Sequence, residues 1–459
     1  MKKRGNKGVI ATVIVALAFL VFLGWYLAHI FEGEKPVVNL EPLPEYLSGD
    51  KTFVINASDA KRGIKRILVT VTQDDRTFKV IERDFPFIGL ANRQGTRETD
   101  VSFRINPRAM HLAEGLMDLK VSVWDYSRRK GGDGNMAVAS HRMIVDTTPP
   151  SIRAVSRLHY INEGGTGLVV YRTSPDTAES GVYVGDIFSL GHPAGDEYEP
   201  GHMVCYFAVP VGSERGTNIY LWAIDKAGNS AESTFNHAIR GRKFPVKTLN
   251  ISDRFIERIL PDFTFMDMSG AETLKDKFLK INRDQRLLDD RKLFEMRGET
   301  AGERLWDGTF IRMRNAATMA GFGDKRIYNY QGKEIDRQTH LGIDLASLAN
   351  SEIQAANSGR VVFTGRLGIY GLTVVIDHGQ GISTLYSHLS DIETSVGDHV
   401  DRGEIIGFSG QTGLAGGDHL HFSILVNGVF VNPIEFWDAN WIRDNITKKL
   451  DVIVKSSES

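Results

Sequence analysis

An uncharged run of 24 residues, Gly8 to Phe31, follows the basic cluster Lys2, Lys3, Arg4 and Lys7. Wound as a helix at ~1.5 Å per residue it reaches about 36 Å, enough to cross a hydrocarbon core of ~30 Å. Trp25 and Tyr26 stand near its far end, where amphipathic rings suit a membrane–water interface. The pattern predicts a cytoplasmic basic segment 1–7, a single-pass transmembrane anchor 8–31, and the bulk of the chain outside the cytoplasmic (inner) membrane, periplasmic or extracellular. The run exceeds the ~7–15 apolar residues of a signal peptide, and no clean Ala-x-Ala site follows it. Cleavage would still leave the rest of the chain outside.

The length of 459 residues, at ~150 per domain, suggests about three domains. Fifty-five Lys and Arg against fifty-seven Asp and Glu leave a net charge of −2, so no overall field draws the chain onto nucleic acid. One cysteine, Cys205, excludes an intramolecular disulfide framework and a Cys-rich zinc ribbon. A metal site here has to use histidine and carboxylate.

Beyond the anchor, residues 36–146 alternate in the β manner. Ile67 to Thr72 and Leu119 to Trp124 are strand-like. Thr147-Thr148-Pro149-Pro150 breaks the pattern, because two prolines lack amide donors and stiffen a linker. A second β region follows over 151–244. Val123-Trp124-Asp125 with Gly134-Asn135 is echoed by Trp222-Ala223-Ile224-Asp225 with Gly228-Asn229, and Arg62-Gly63-Ile64 by Ser180-Gly181-Val182. A strand ending in Asp, a Gly-Asn turn and another strand make a hairpin. Its repetition after ~100 residues predicts two modules resembling immunoglobulin-like sandwiches.

Over 250–297 the period turns helical. Ser269-Gly270-Ala271-Glu272 has capping-box form, and Leu274, Phe278 and Ile281 make a one-sided apolar stripe. Such a stripe packs on a neighbouring domain. The sharper alternative is that this connector covers a groove and regulates access to it.

Six of the thirteen histidines fall between residues 340 and 421: His340, His378, His388, His399, His419 and His421. On a strand, His419 and His421 share a face; His340 and Asp344, four apart, share one on a strand or a helix. Two histidines and one carboxylate leave a fourth tetrahedral position open, the arrangement of catalytic zinc. An imidazole two residues from a ligand can instead stand beside the bound water as a base or hydrogen-bond donor. Gly365-x-x-Gly368-x-x-Gly371 departs from a nucleotide-loop spacing and reads as turns, and Arg128-Arg129-Lys130 as a solvated loop. His378 and His399 are left without a role.

His340-x-x-x-Asp344, Leu385-Tyr386-Ser387-His388-Leu389 and His419-x-His421 occur in that order, with Gly321-Phe322-Gly323 before them and Gly407-Phe408-Ser409-Gly410-Gln411-Thr412-Gly413 between the last two. The stretch 302–436 resembles the lysostaphin-like (LytM-type) zinc endopeptidases of cell walls. The resemblance implies one Zn²⁺ per chain on His340, Asp344 and His421, and a non-ligand catalytic pair, His388 and His419. The family usually carries Gly-Pro before the His-x-His, whereas this chain has Gly417-Asp418.

The fold class expected is therefore mainly β: an N-terminal transmembrane helix, two Ig-like β-sandwich modules (36–146 and 151–244), the helical connector, a C-terminal antiparallel-β peptidase domain (302–436), and a C-terminal helix and tail (437–459). The function expected is hydrolysis of amide bonds in peptidoglycan stem peptides or cross-bridges outside the membrane. The β modules would act as spacers or as contacts for the wall and envelope proteins. The alternative is a non-enzymatic envelope scaffold or activator that uses the same domain to bind partners.

Overall fold

The computed structural model describes residues 7–454. Lys2, Lys3 and Arg4 of the basic segment, and the tail after residue 454, lie outside the described residues. The protein is mainly β and divides into two compact units: residues up to Pro149 with Lys226–Asn229, and Pro150–Asp225 with Ser230 onward.

The first unit begins with helix Lys7–Ile30. Gly8–Ile30 is long and apolar enough to cross a membrane, and its apolar side chains are largely exposed until Ile30, which is buried. Its end is fastened to the β module without slack. The Ile30 carbonyl accepts the Arg128 amide at 2.9 Å, the Phe31 carbonyl accepts Arg129 Nε at 2.8 Å, and the Glu32 carbonyl accepts Ser127 Oγ at 2.8 Å. The module is two packed sheets. One holds strands Val37–Glu41, Lys51–Ser58 and Glu98–Ile105; the other is five-stranded and includes Ile64–Gln73, Gly115–Asp125 and Met136–Val145. Alternate residues of both sheets, Phe53, Ile55 and Phe103 facing Ile67, Val69, Val121 and Val123, form one core. The hairpin expected at Asp125 is present: Asp125 Oδ1 accepts the Asn135 amide at 2.7 Å. Gly134 has φ 94°, and a Cβ there would stand 2.4 Å from the Asp125 carbonyl oxygen, so the turn demands glycine.

The second unit opens with two sheets of four strands each. Strands Thr166–Thr173 and His202–Ala208 are buried on both faces. Val169, Tyr171, Cys205 and Phe207 fill the sandwich, whereas Leu168, Val170, Val204 and Tyr206 join the C-terminal core. Polar clasps accompany this packing: Glu435 accepts Asn162 Nδ2 and the Thr166 amide, each at 2.8 Å, and Lys449 Nζ donates to the Leu168 carbonyl at 3.0 Å.

The C-terminal domain is built on a ten-stranded sheet. Its centre runs Ala317–Ala320, Ile343–Ala346, Leu420–Val426, Ile382–Ile392, Gly371–Asp377 and Gly359–Leu367, all antiparallel neighbours. The region before it starts with strand Val246–Ile251, paired parallel to Lys325–Tyr330, and continues as short helices. The capping box lies four residues later than expected. Thr273 caps helix Leu274–Leu279, with Asp276 as its reciprocal partner, while Ser269 Oγ bonds Asp267 Oδ2. Gly270 at φ 77° turns the chain before the helix begins. The stripe itself is as expected, with Phe278 and Ile281 fully buried. The C-terminal helix is broken into Pro433–Trp437 and Ala439–Ile442, a wide turn Arg443–Thr447, and Lys448–Leu450. Asp438, in extended conformation, ends the first piece and caps the second.

Candidate metal centre

Register brings the central residues together. Asp344 stands directly opposite His421 across one antiparallel pair, and His421 opposite Ser387 across the next, so all three share a face of the sheet. His340 lies outside these strands, just after strand Lys333–Thr339. It meets Asp344 because the chain folds back at Leu341-Gly342, not through the common face of a single strand or helix. A Cβ at Gly342 would be 2.5 Å from the His421 ring, so only glycine lets the backbone pass. His388 reaches the same side by a different device. Alternation along Ile382–Ile392 would send it to the face opposite Ser387, but at φ 63° beside an irregular register it is turned back toward the others.

His340 Nε2 lies 2.9 Å from Asp344 Oδ1 and 3.0 Å from His421 Nδ1, and His421 Nδ1 lies 2.9 Å from Asp344 Oδ1. The far nitrogens are engaged elsewhere: His340 Nδ1 with the Gly321 carbonyl at 2.9 Å, and His421 Nε2 with Ser423 Oγ at 3.0 Å. Ser423 Oγ donates to the Leu341 carbonyl, so it accepts from His421 and places that ring's proton on Nε2. Lone pairs thus converge on one point and need a positive charge among them. A divalent cation fits the same place, because tetrahedral ligands at ~2.0–2.1 Å stand roughly 3.3 Å apart, a few tenths more than observed. The outer oxygen, Asp344 Oδ2, takes Arg326 Nη2 at 2.8 Å.

Electrostatics divides the group. Burial opposes ionisation of Asp344, but the positive charge of His340 and hydrogen bonds from His340, His419 and His421 hold its pKa well below the usual carboxylate range. Burial lowers His421 to about 4. Burial, then the charges of His419 and His421, push His388 well below its ordinary value. Burial also opposes charge on His419, yet the Asp344 carboxylate 3.6 Å away wins and raises it. Both non-ligand imidazoles are oriented by carbonyls, His388 Nδ1 on Thr412 O and His419 Nδ1 on Gly417 O, each at 2.8 Å, which turns His419 Nε2 toward Asp344 Oδ1 at 3.6 Å. Their ring centroids are 4.8 Å apart.

A groove of ≈ 660 Å³ runs over this cluster. Strand Val246–Ile251, Phe255 and Phe278 help to line it, so the connector forms part of its wall. The connector also grips the loops on either side. Asp262 accepts Arg366 Nη1 at 2.7 Å and the Gly413 amide at 2.8 Å, Asp289 accepts the Ile369 amide at 2.7 Å, and Asp290 accepts Tyr370 Oη at 2.9 Å. Asp418, in place of proline, pins the loop before His419 by accepting Ser409 Oγ at 2.6 Å and the Asn350 amide at 3.1 Å.

Peptidase family M23 matches residues 338–433, which span the cluster from just before His340 to beyond His421. The C-terminal domain is a family M23 peptidase domain. The M23 domain is 44% identical over 95 residues to the DD-carboxypeptidase/endopeptidase Mpg of Neisseria meningitidis serogroup B, covering 21% of this chain and 22% of that protein. It is 40% identical over 96 residues to the peptidoglycan DD-endopeptidase ShyA of Vibrio cholerae, with coverages of 21% and 22%. The chain thus spans about a fifth of the length of these curated relatives. A crystal structure of a putative peptidase M23 from Pseudomonas aeruginosa aligns with 60% of this chain and 93% of its own, at 20% identity and TM-score 0.37.

Several residues around the M23 cluster carry no signal in the sequence alone. Arg326 and Tyr370 reach the site only through pairings of strands and turns, whereas Thr412 belongs to the Gly407–Gly413 motif that carries the resemblance, with no role there assigned to it. His378 takes no part: it is buried against Phe310, with Nδ1 on the Ser358 carbonyl and Nε2 on Thr384 Oγ1. His399 is exposed on a short edge strand. Of the three glycines read as turns, only Gly368 lies in one, the single turn Gly368–Tyr370; Gly365 is inside strand Gly359–Leu367 and Gly371 opens strand Gly371–Asp377, all three at positive φ.

Proposed function

We propose that this protein is a membrane-anchored, zinc-dependent endopeptidase that hydrolyses amide bonds in peptidoglycan stem peptides or cross-bridges outside the cytoplasmic membrane. The observation that carries the proposal is the meeting of His340 Nε2, Asp344 Oδ1 and His421 Nδ1 within 3.0 Å, with the imidazoles of His388 and His419 beside them and His419 Nε2 3.6 Å from Asp344 Oδ1. His340, Asp344 and His421 would hold the ion. Zn²⁺ supplies, when bound, a Lewis acid that polarises a carbonyl and lowers the pKa of water toward ~7.

The chain's own residues do the rest. His388, kept neutral by burial, accepts the proton of the attacking water on Nε2. His419, whose pKa is raised, donates from Nε2 to the carbonyl oxygen as it gains charge. Carbonyls of Thr412 and Gly417 fix both rings, so neither has to reorient during the reaction. The groove wall to which Val246–Ile251 contributes would guide an extended peptide past the centre. Helix Gly8–Ile30 would confine this activity to the wall next to the membrane.

The test joins two measurements on the full chain: zinc content, and release of soluble fragments from purified sacculi with the products identified by mass. Stoichiometric zinc with release supports the enzyme. Zinc without release returns the reading to a scaffold that binds partners.

A further inference from the structure

The loop 85–93 of the first module projects large apolar side chains outward: Phe87 is 51% exposed, Ile88 42% and Leu90 65%. It is not a loose segment. Asn92 Oδ1 accepts the Ile88 amide at 2.8 Å, Asn92 Nδ2 donates to the Arg62 carbonyl at 2.6 Å, and Arg62, itself buried, donates from Nη1 to the Ala91 carbonyl at 2.7 Å. Phe87 packs edge-on against Tyr126 at 5.2 Å. The backbone is therefore braced from within to hold its apolar side chains out, at the usual cost of exposing them to water.

What covers them follows from where the loop sits. The Arg93 guanidinium lies 5.6 Å from the centroid of the Trp25 ring, on the helix read above as crossing the membrane. Trp25 belongs to the interfacial aromatic belt of such a helix. From Trp25 to Ile30 the helix rises only about 7.5 Å, roughly the depth of one headgroup layer. Ile30 is already bonded to Arg128, so no tether separates module from bilayer. Any loop that touches Trp25 is at headgroup depth. The same end is basic, with Arg93, Arg128, Arg129 and Lys130 exposed. Of the acids nearby, Glu34 is paired with Lys61 at 2.7 Å, while Asp84 and Asp133 are exposed. A cavity of ≈ 700 Å³ between helix end and loop is lined by Tyr26, Phe31, Phe87 and Leu90 together with Lys65 and Arg128, apolar and cationic like the boundary layer of a leaflet.

We propose that this surface is seated in the outer leaflet: Phe87, Ile88 and Leu90 insert among the headgroups beside Trp25, and Arg93, Arg128, Arg129 and Lys130 bind phosphates of anionic phospholipid. The proposal rests on the reading that Gly8–Ile30 spans the membrane. It makes the first module a fixed platform on the bilayer, with its orientation set by two contacts, the helix and the loop.

The full chain in nanodiscs, with nitroxide labels on F87C, L90C, V15C and L116C, tests it. Cys205 is fully buried and stays unlabelled. Collisions with oxygen against those with an aqueous nickel chelate report depth. Labels at 87 and 90 are expected to favour oxygen, less than the mid-helix label at 15, while the label at 116, at the opposite end of strand Gly115–Asp125, favours nickel. Labels at 87 and 90 as accessible to nickel as 116, with 15 still buried, overturn the seating and leave the anchor intact. An aqueous label at 15 overturns the anchor, and the seating with it. Replacing phosphatidylglycerol with phosphatidylcholine, or introducing R128E and K130E, should bring the label at 90 closer to water. Equal depth in every case overturns the phosphate contacts.

Discussion

Arg326 holds the outer oxygen of Asp344: Nη2 lies 2.8 Å from Oδ2, leaving Oδ1 to face His340 and His421. A guanidinium in that place orients the carboxylate and restrains it to one-oxygen ligation. Arg326→Ala should weaken metal binding about 10–100-fold, the range for loss of an outer-sphere partner. Competition with a zinc chelator measures it, and unchanged affinity would show that the pair only packs.

Removing the free imidazoles should separate binding from chemistry. His388→Ala and His419→Ala are each expected to keep the metal and to lose turnover by about 10²-fold or more. His340→Ala should lose the metal itself. Full fragment release by His419→Ala, with its zinc content verified, would refute the proton role assigned to that ring.

Asp262 ties the end of strand Gly359–Leu367 to the loop at Gly413. Asp262→Ala leaves the Gly413 amide without its acceptor and frees Arg366, and should cost about 1–3 kcal/mol of stability. Amide exchange at Gly413 should quicken while zinc content stays constant. Excising residues 250–297 is a poor alternative, since Ile256, Ile259, Phe263, Phe278, Ile281 and Leu293 all lie in the main core. That excision should unfold the domain, not unmask it.

Burial raises Glu435 to about 7, against hydrogen bonds from Asn162 and Thr166 that favour the charge. A folded pKa above the unfolded value means that stability is full below the unfolded pKa and falls as pH rises through about 7. A shift of that size corresponds to about 3 kcal/mol across the window. Glu435→Gln should flatten the pH dependence of denaturant midpoints between pH 5 and 8. It should also lower the plateau, because one amide group then faces a donor. An unaltered slope would assign the titration elsewhere.

The set His340, Asp344 and His421 is legible in the sequence because resemblance names it; spacing alone suggests only that His340 lies near Asp344 and does not bring either to His421. The route is less legible: His340 arrives through a reversal at Gly342, and His388 through a left-handed residue, neither of which alternation can express. Arg326 lies 18 residues from Asp344 across a hairpin whose register only the folded chain defines. The helix cap slipped because Ser269-x-x-Glu272 and Thr273-x-x-Asp276 satisfy one pattern, and the turn at Gly270 chooses between them. The strands of the first module were readable because alternate burial repeats every second residue. Thr166–Thr173 hides its allegiance, since a strand apolar on both sides does not say which core it serves.

That last strand has a consequence for how the second unit comes apart. His202–Ala208, its neighbour, lies against Leu420–Val426, so loss of the sandwich would strip the backing from the strand that carries His421. Separation would expose Leu168, Val170, Val204 and Tyr206, now buried in the C-terminal core, to water. Heating should therefore melt Pro150 onward in a single calorimetric endotherm, and an M23 domain cut loose at residue 302 should precipitate.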